Sequence, residues 1–281
     1  MVNLNNINFA YRRNKAVLCN ISLTLSQGTI YGLLGKNGEG KTTLLRILCG
    51  LLKPVTGECL SLGFTPFERQ ADFLQQIFLL PEEIYLPDVK ARDYFDMYRP
   101  FYPSFSDEIL RTCIESFDVE TSAPLKSMSL GQKKKAAISL AMAANTPLLL
   151  MDEPTNGLDI PSKSAFRNLV ASVMTDSRTV VISTHQVRDL ESLIDAVVIL
   201  DNHALILNNP LNEIGDKLIF RPVDETDAPL YSEPTPLGTM GVMANTTGEP
   251  SPVYLELLFN AAIRSKAQIQ NILNPQNTLN K

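Results

Sequence analysis

The segment GKNGEGKT, residues 35–42, joins two glycines, a lysine and a hydroxyl residue in a spacing suited to phosphate. Glycines let successive backbone N–H groups turn toward the oxygens of one anion, and a following helix N-terminus adds partial positive charge. Lys41 would reach the β- and γ-phosphates, and the Thr42 hydroxyl would bind Mg²⁺. An apolar strand over 29–34 and a helix over 43–52 supply the required context. The alternative is a plain glycine turn between strand and helix.

Two carboxylates end the apolar run LLLMDEP, residues 148–154. A continuous apolar run predicts a strand buried on both faces. Asp152 would then lie at the carboxyl end of the sheet, where α/β folds place their ligands, and would reach Mg²⁺ directly or through water. Glu153 would be free to polarise an attacking water. Taken alone, the pattern also fits a strand that meets solvent, and the upstream glycine loop favours the catalytic interpretation.

A third segment, MSLGQKKKAA at residues 128–137, begins a predicted helix that ends near Ala144. Ser129 is placed to cap this helix. A serine cap, free backbone N–H groups and the helix dipole together form a surface that favours phosphate. Without the other two segments, the pattern would indicate an ordinary capped helix.

In this order and spacing, the three segments resemble the ATP-binding cassette (ABC) ATPases, specifically the nucleotide-binding subunit of an ABC transporter. The resemblance covers about residues 1–215. TNGLD, residues 155–159, is similar to the family's D-loop, with Asp159 as its aspartate. ISTHQ, residues 182–186, places His185 at the switch histidine that contacts the γ-phosphate. Tyr11 lies where the family stacks an aromatic ring on adenine, although a tyrosine there could also serve packing alone.

The resemblance implies a shared catalytic site. Two cassettes pair head to tail, and each ATP is held between the glycine loop of one and the Ser129 segment of the other. Glu153 is the implied general base, assisted by His185. The implied Mg²⁺-binding residues are Thr42, Asp152 and Glu82. The implied ATP-binding residues are Tyr11, Gly35, Lys36, Asn37, Gly38, Glu39, Gly40, Lys41, Thr42, Thr43, Ser129, Gly131, Gln132 and Asp159.

Two positions depart from the family pattern. Leu130 stands where the signature segment usually has its first glycine, and the backbone contact from Gly131 is expected to survive. Glu82, in FLLPEE at residues 78–83, aligns with a glutamine that links Mg²⁺ and the attacking water to the helical insertion. A carboxylate there adds negative charge beside metal and phosphate. It would bind the metal more tightly or slow hydrolysis.

The expected fold is α/β: a P-loop cassette with a RecA-like core, an antiparallel β part from the N-terminus and a helical insertion. Residues 1–215 form the predicted cassette, with the insertion at about 83–144, where Ser106 would cap a helix to Phe117. Residues 216–281 form a predicted small α+β appendage with strands at 217–223 and 238–244, a further strand starting near 229–231, and a disordered tail. Its helix 254–263 places Leu255, Leu258, Phe259 and Ala262 on one apolar face. That face would pack within this chain or against the same segment of a second subunit.

Composition narrows the functional class. The chain has 281 residues with a net charge of -5 and a pI of about 5.2, which argues against nucleic acid as the main partner. The sequence has neither an apolar run long enough to span a membrane nor a signal pattern. The implied partners are a second copy and a separate transmembrane permease, with the chain in the cytoplasm on the inner face of the membrane. Its four scattered cysteines are interpreted as buried thiols.

Three functional classes remain at this stage. FYPSF, residues 101–105, and the short helical insertion resemble cassettes of bacterial exporters. A soluble ABC ATPase acting on ribosomes or DNA is the main alternative, and neither a second cassette nor a long coiled coil is present to favour it. The third class is an ATP-binding regulator with slow turnover, which Glu82 favours and the intact Glu153 and His185 disfavour. Of the two histidines, His203 falls in a predicted hairpin turn and is given no role.

Overall fold

The computed structural model describes residues 2–12, 15–236 and 238–274. Within these ranges the strands are β1 (Val2–Arg12), β2 (Lys15–Leu25), β3 (Ile30–Leu34), β4 (Thr56–Ser61), β5 (Ile77–Leu80), β6 (Leu148–Asp152), β7 (Thr179–Thr184), β8 (Ala196–Asp201), β9 (Ala204–Pro210), β10 (Leu218–Pro222), β11 (Tyr231–Thr235) and β12 (Gly238–Ala244). The α-helices are α1 (Lys41–Leu48), α2 (Ala71–Leu74), α3 (Ala91–Tyr98), α4 (Asp107–Phe117), α5 (Leu130–Ala143), α6 (Ile160–Ser172), α7 (Leu211–Lys217), α8 (Leu255–Arg264) and α9 (Lys266–Leu273).

The central sheet has six strands in the order β5-β6-β7-β3-β8-β9, and all neighbouring pairs are parallel except β8 and β9. Strands β3, β6 and β7 are buried at every residue, as their continuous apolar runs predict. Leu34 pairs with Thr184, and Asp152 pairs with Ser183. This register brings the carboxyl ends of three strands to one edge, where the chain segments that follow them meet.

Each face of the sheet is covered by a separate hydrophobic cluster. On one face, the antiparallel sheet β2-β1-β4 packs with α1 around Ile7, Leu45 and Phe73. On the other, α3 to α6 contribute Phe95, Phe117 and Phe166. The α/β cassette fold with an antiparallel β part and a helical insertion is therefore confirmed.

Local capping signals in the sequence are also confirmed. The Ser106 side chain accepts a hydrogen bond from the N–H of Ile109 at the start of α4, and Ser129 accepts one from Gln132 at the start of α5. Helix α1 begins at Lys41 and stops at Leu48, earlier than the predicted Leu52, because Gly50 adopts a left-handed φ of 75° that ends the helical path.

The sequence patterns do not predict three short elements of the fold, which are strands β4 and β5 and the single-turn helix α2. Strand β5 has only four residues, so its apolar run is too short to show a period. Its pairing with β6 is what makes it a strand, and this pairing leads the chain directly to Glu82.

The segment after 217 forms the antiparallel sheet β10-β12-β11 followed by α8 and α9. Leu258 and Ala262 of α8 are fully buried and belong to the same cluster as Val197 and Ile199 of the central sheet. The first of the two alternatives, that the apolar face packs within its own chain, is therefore confirmed, and the alternative that it packs against a second subunit is wrong. Leu257 and Ala261 are buried, whereas Phe259 is half-buried at the edge.

The expectation of a disordered tail after Ile263 is wrong as far as Leu273, because α9 occupies 266–273. Ile269 and Leu273 are buried, and Gln270 donates a 2.8 Å hydrogen bond to the carbonyl of Ile206. These contacts supply the burial that the polar composition of the tail did not predict. Residues 275–281, the remainder of the predicted tail, lie outside the described residues.

Candidate active site

The glycine loop links β3 to α1. Gly38 and Gly40 adopt φ values of 88° and 98°, which a residue with a side chain rarely adopts. A Cβ on Gly40 would also lie 2.8 Å from the carbonyl oxygen of Val17, so glycine is required there on two grounds. The loop holds Lys41 almost entirely buried, with its Nζ donating to the carbonyl oxygens of Gly35 (2.7 Å) and Lys36 (3.2 Å). Burial lowers the pKa of Lys41.

Asp152 ends β6 beside this loop. Its Oδ2 accepts a 2.6 Å hydrogen bond from the Thr42 hydroxyl, and its Oδ1 accepts a short one from the Ser183 hydroxyl. Both oxygens of the carboxylate are thereby oriented by neighbouring strands and by α1. A hydroxyl and a carboxylate oxygen now lie together at the carboxyl end of the sheet, which is the oxygen-donor chemistry that Mg²⁺ prefers.

Glu153 follows Asp152 and points into the same region. Its Oε1 lies 2.8 Å from Nδ1 of His185 and 3.9 Å from Nζ of Lys41. Its Oε2 is buried and has no hydrogen-bond partner among the described residues. The backbone of Glu153 adopts a φ of 46°, which is strained for a residue with a side chain. An unpaired buried carboxylate oxygen beside a lysine and a histidine can accept a proton from water.

A cleft of about 620 Å³ opens over the glycine loop. At one end it is lined by Lys41, Thr42, Glu82, Asp152 and Glu153, and at the other by Tyr11, Arg12, Lys15, Val17 and His203. The ring of Tyr11 is held edge-on by Phe9 at 5.0 Å, and its hydroxyl lies 3.1 Å from Oγ1 of Thr43. The ring is 55% exposed. An exposed, braced aromatic ring at the end of a phosphate cleft can stack on a base.

Sequence reasoning missed two residues of this site. His203 sits in the β8–β9 turn, where its N–H donates to Glu39 (2.9 Å) and its carbonyl accepts from Cys19 N (2.8 Å). Nothing in its local sequence signals this, since strand pairing alone brings the turn to the cleft. Lys134 lies buried on α5 and donates to the carbonyl of Glu153 at 2.6 Å. Its helical spacing to Ala137 and Ala141, both buried, is a signal that could have found it.

Glu82 lies after β5 at the rim of the cleft, and its Oε1 accepts a 3.2 Å hydrogen bond from the Asn156 side chain. Asn156 also accepts a 3.4 Å hydrogen bond from the Gln186 side chain. The segments after β5, β6 and β7 are thus joined in one polar network. This network lies immediately outside the carboxylates of the cleft.

The Ser129 segment lies elsewhere. Among the described residues, the cleft lining includes none of Ser129, Gly131, Gln132 and Asp159. Ser129 caps α5 and is exposed, and a Cβ on Gly131 would lie 3.4 Å from the carbonyl of Gly157. Asp159 caps α6 by accepting from Ser162 N, and hydrogen bonds from the side chain and then the backbone of Ser162 hold the pKa of its carboxyl below the usual value. These residues form a second surface beside the D-loop, separate from the glycine loop.

Comparison with known proteins identifies the family. The ABC transporter family model matches residues 18–156. The bacitracin transport ATP-binding protein BcrA of Bacillus licheniformis is 30% identical over 76% of this chain and 72% of its own length. The chain belongs to the ABC transporter ATP-binding proteins. The uncharacterised ATP-binding protein YdbJ of Bacillus subtilis is 34% identical over 66% of this chain, and the match spans 62% of that relative.

Solved structures agree on the fold of this ABC cassette. The ATP-binding cassette MJ0796, determined as a dimer in a post-hydrolysis state with ADP and phosphate, superposes with a TM-score of 0.66. That match has 23% identity and covers 75% of this chain and 98% of the other. The cassette fold is thus confirmed, and as a member of the ABC transporter ATP-binding proteins the chain binds ATP. No helix in the described residues is both long and apolar enough to cross a bilayer.

Proposed function

We propose that this cassette is the nucleotide-binding subunit of a bacterial exporter. It binds Mg²⁺-ATP in the cleft, pairs with a second copy around two ATP molecules, and uses hydrolysis to drive a separate permease. The observation that carries this proposal is the gathering of Lys41, Asp152, Glu153 and His185 at the carboxyl ends of β3, β6 and β7. The Ser129 surface, meanwhile, contributes none of its residues to the described lining of that cleft.

At the phosphate end, Lys41 and His185 bind the γ-phosphate. Lys41 is held by two loop carbonyls and lies within 3.9 Å of Glu153, so an incoming phosphate replaces weak neutral partners with a full negative charge. His185 is about one-third exposed, and its ring is oriented by Glu153. Tyr11 stacks on adenine at the other end of the cleft.

The residues present fit Mg²⁺. Thr42 and Asp152 offer one hydroxyl and one carboxylate oxygen 2.6 Å apart, and Glu82 stands at the rim. Among the described residues, no group of three or more acidic, histidine or cysteine side chains could hold a metal by itself. That is the expected pattern for Mg²⁺, which binds through one or two protein ligands plus substrate phosphates and neutralises charge there.

Glu153 is the general base. Its Oε2 is buried and without a partner in the described ranges, so it is free to accept the proton of an attacking water. His185 and Lys41 hold the other oxygen, which fixes the direction of the free one. The buried, water-poor setting strengthens each of these interactions.

The second copy completes the site with Ser129, Gly131, Gln132 and Asp159. Two large apolar side chains on that surface support this pairing: Leu130 is 73% exposed and Ile160 is 85% exposed. Neither is covered within a single chain. The dimeric state of MJ0796, the cassette with the same fold, also supports it.

The permease contact is proposed at a groove of about 430 Å³ between the sheet and the helical insertion. Leu51 and Phe101 line it and are 51% and 65% exposed, and it also touches Leu79 of β5, the strand that leads to Glu82. A helix docked there would contact the strand that leads to the cleft. The export direction is supported by the Nod factor export ATP-binding protein I of Rhizobium etli, which is 28% identical over 73% of this chain and 67% of its own length. Such a subunit works in the cytoplasm, on the inner face of the membrane.

Subunit mixing tests the shared site. Lys41→Ala and Ser129→Arg subunits are each expected to be inactive as homodimers. In a mixed dimer one site carries both changes and the other carries none, so partial ATPase activity returns. If mixed dimers form, as shown by differently tagged subunits purified together, and no activity returns, the shared site is wrong.

A further inference from the structure

Lys134 is a buried cation to which the proposed function assigns no role. It lies on α5 and is only 4% exposed, whereas its neighbours Lys133 and Lys135 are half-buried. Desolvating an ammonium group is strongly unfavourable unless other groups compensate it. Whatever surrounds Lys134 must therefore supply negative charge or strong acceptors.

The acceptor is the backbone of the proposed base. Nζ of Lys134 donates a 2.6 Å hydrogen bond to the carbonyl oxygen of Glu153. The same oxygen accepts a 3.3 Å hydrogen bond from the N–H of Asn156, whose side chain donates to Glu82. Glu153 has a strained φ of 46°, so its side-chain direction depends on what holds this peptide. Lys134 and Asn156 hold its carbonyl, while its N–H donates to the backbone oxygen (3.1 Å) and the hydroxyl (3.2 Å) of Ser183.

The compensating charge comes from three carboxylates. Burial lowers the pKa of Lys134, and the carboxylates of Glu82, Glu153 and Asp152 oppose that shift. Lys41 faces the same three groups from the glycine loop. When Lys41 turns to phosphate, Lys134 is the buried cation that continues to face them.

We propose that Lys134 is a positioning residue for Glu153, and that its charge offsets the carboxylate of Glu82. The ammonium group of Lys134 thereby connects helix α5, which Ser129 caps, to the base Glu153. This inference deepens the proposed function and rests on ATP hydrolysis at this cleft. It predicts that positions 82 and 134 are energetically coupled, so that removing one charge matters less once the other is gone.

A double-mutant cycle on the full chain tests the coupling. Lys134→Gln is expected to lower kcat about ten- to a hundredfold with KM for Mg²⁺-ATP changed less than about twofold, because a displaced base affects the chemical step rather than binding. Adding Glu82→Gln to Lys134→Gln should restore kcat by about fivefold or more, and the same change in the parent should not raise it. Lys133→Gln, on the same helix, is the control and should stay within about twofold of the parent.

Lys134→Met separates positioning from folding. Removing one buried charge while its partner carboxylates remain is destabilising, so Lys134→Met should unfold below the parent temperature, whereas Lys134→Met with Glu82→Gln removes both charges and should unfold closer to it. At a temperature at which both variants are folded, Lys134→Met should still lose kcat, because methionine cannot donate to the Glu153 carbonyl. The same double-mutant cycle should also be non-additive when it is measured by thermal unfolding without nucleotide. This second measurement does not depend on ATP turnover. Additive effects in both measurements, or Lys134 variants with parental kcat, would overturn the proposal. A parent that neither binds nor hydrolyses ATP would instead contradict the proposed function.

Discussion

Nδ1 of His185 lies 2.8 Å from Oε1 of Glu153, although 32 residues separate them along the chain. Strands β6 and β7 are parallel neighbours, and Asp152 pairs with Ser183, so the residues that follow both strands must meet. This contact joins the proposed base to the residue proposed to sense the γ-phosphate. It also leaves Oε2 of Glu153 as the oxygen without a partner among the described residues.

Glu153→Gln should preserve ATP binding and remove most turnover. The amide keeps the shape of the side chain but cannot accept a proton, and loss of a general base typically lowers the rate by about two to four orders of magnitude. Single-turnover hydrolysis and equilibrium ATP binding measure the two effects separately. The variant should also accumulate as an ATP-bound dimer in size-exclusion chromatography. Glu83→Gln, an exposed neighbour of Glu82, is the matched control; hydrolysis by Glu153→Gln at the parental rate would exclude this base.

His203→Gly should weaken ATP binding without loss of stability. Asn202 and His203 both have positive φ values, 49° and 64°, so glycine relieves strain while keeping the backbone hydrogen bonds to Glu39 and Cys19. His203 lines the nucleotide cleft, and its buried Nδ1 has no partner in the described residues. Loss of one hydrogen bond predicts a Kd about fivefold higher, measured by calorimetry. Asn202→Gly is the control, and an unchanged Kd for His203→Gly would place the ring outside the binding site.

The thiols should differ in reactivity. Burial raises the pKa of Cys49 to about 11 and those of Cys59 and Cys113 to about 12, whereas Cys19 is half-buried. Because the thiolate is the nucleophile, these three thiols stay protonated and unreactive at pH 8. An aromatic disulfide reagent should therefore titrate one thiol rapidly in the native chain and four after denaturation. Cys19→Ser should remove the rapid phase; rapid reaction of a second thiol would contradict the burial.

Leu258→Ala should destabilise the whole cassette. Leu258 is fully buried in the cluster that includes Val197 and Ile199 of the central sheet, so truncation leaves a cavity in a shared core. The expected loss is about 2–5 kcal/mol of unfolding free energy, measured by chemical denaturation. Phe259→Ala, at the half-buried edge of α8, should have a smaller effect. Truncation at Asp216 should likewise lower stability rather than convert a dimer to a monomer, and a truncated chain as stable as the parent would contradict this.

The sequence by itself determined the elements that short-range chemistry controls. The glycine loop has positive φ at Gly38 and Gly40, Ser106 and Ser129 cap the helices they precede, and the apolar run before Asp152 predicts a strand buried on both faces. These signals are local, since each depends on a few consecutive residues. Together they predicted an α/β unit with carboxylates at its sheet edge, and the resemblance to ABC ATPases predicted the cassette fold.

Tertiary structure alone decided which distant groups meet. Strand order brought the turn at His203 to the cleft, and helix packing placed Lys134 against the carbonyl of Glu153, 19 residues away along the chain. The same holds for α9, whose polar sequence becomes a packed helix because Ile269 and Leu273 find a surface built by β9 and α7. Such contacts depend on the free energy of burying groups far apart in the chain, which no local pattern records.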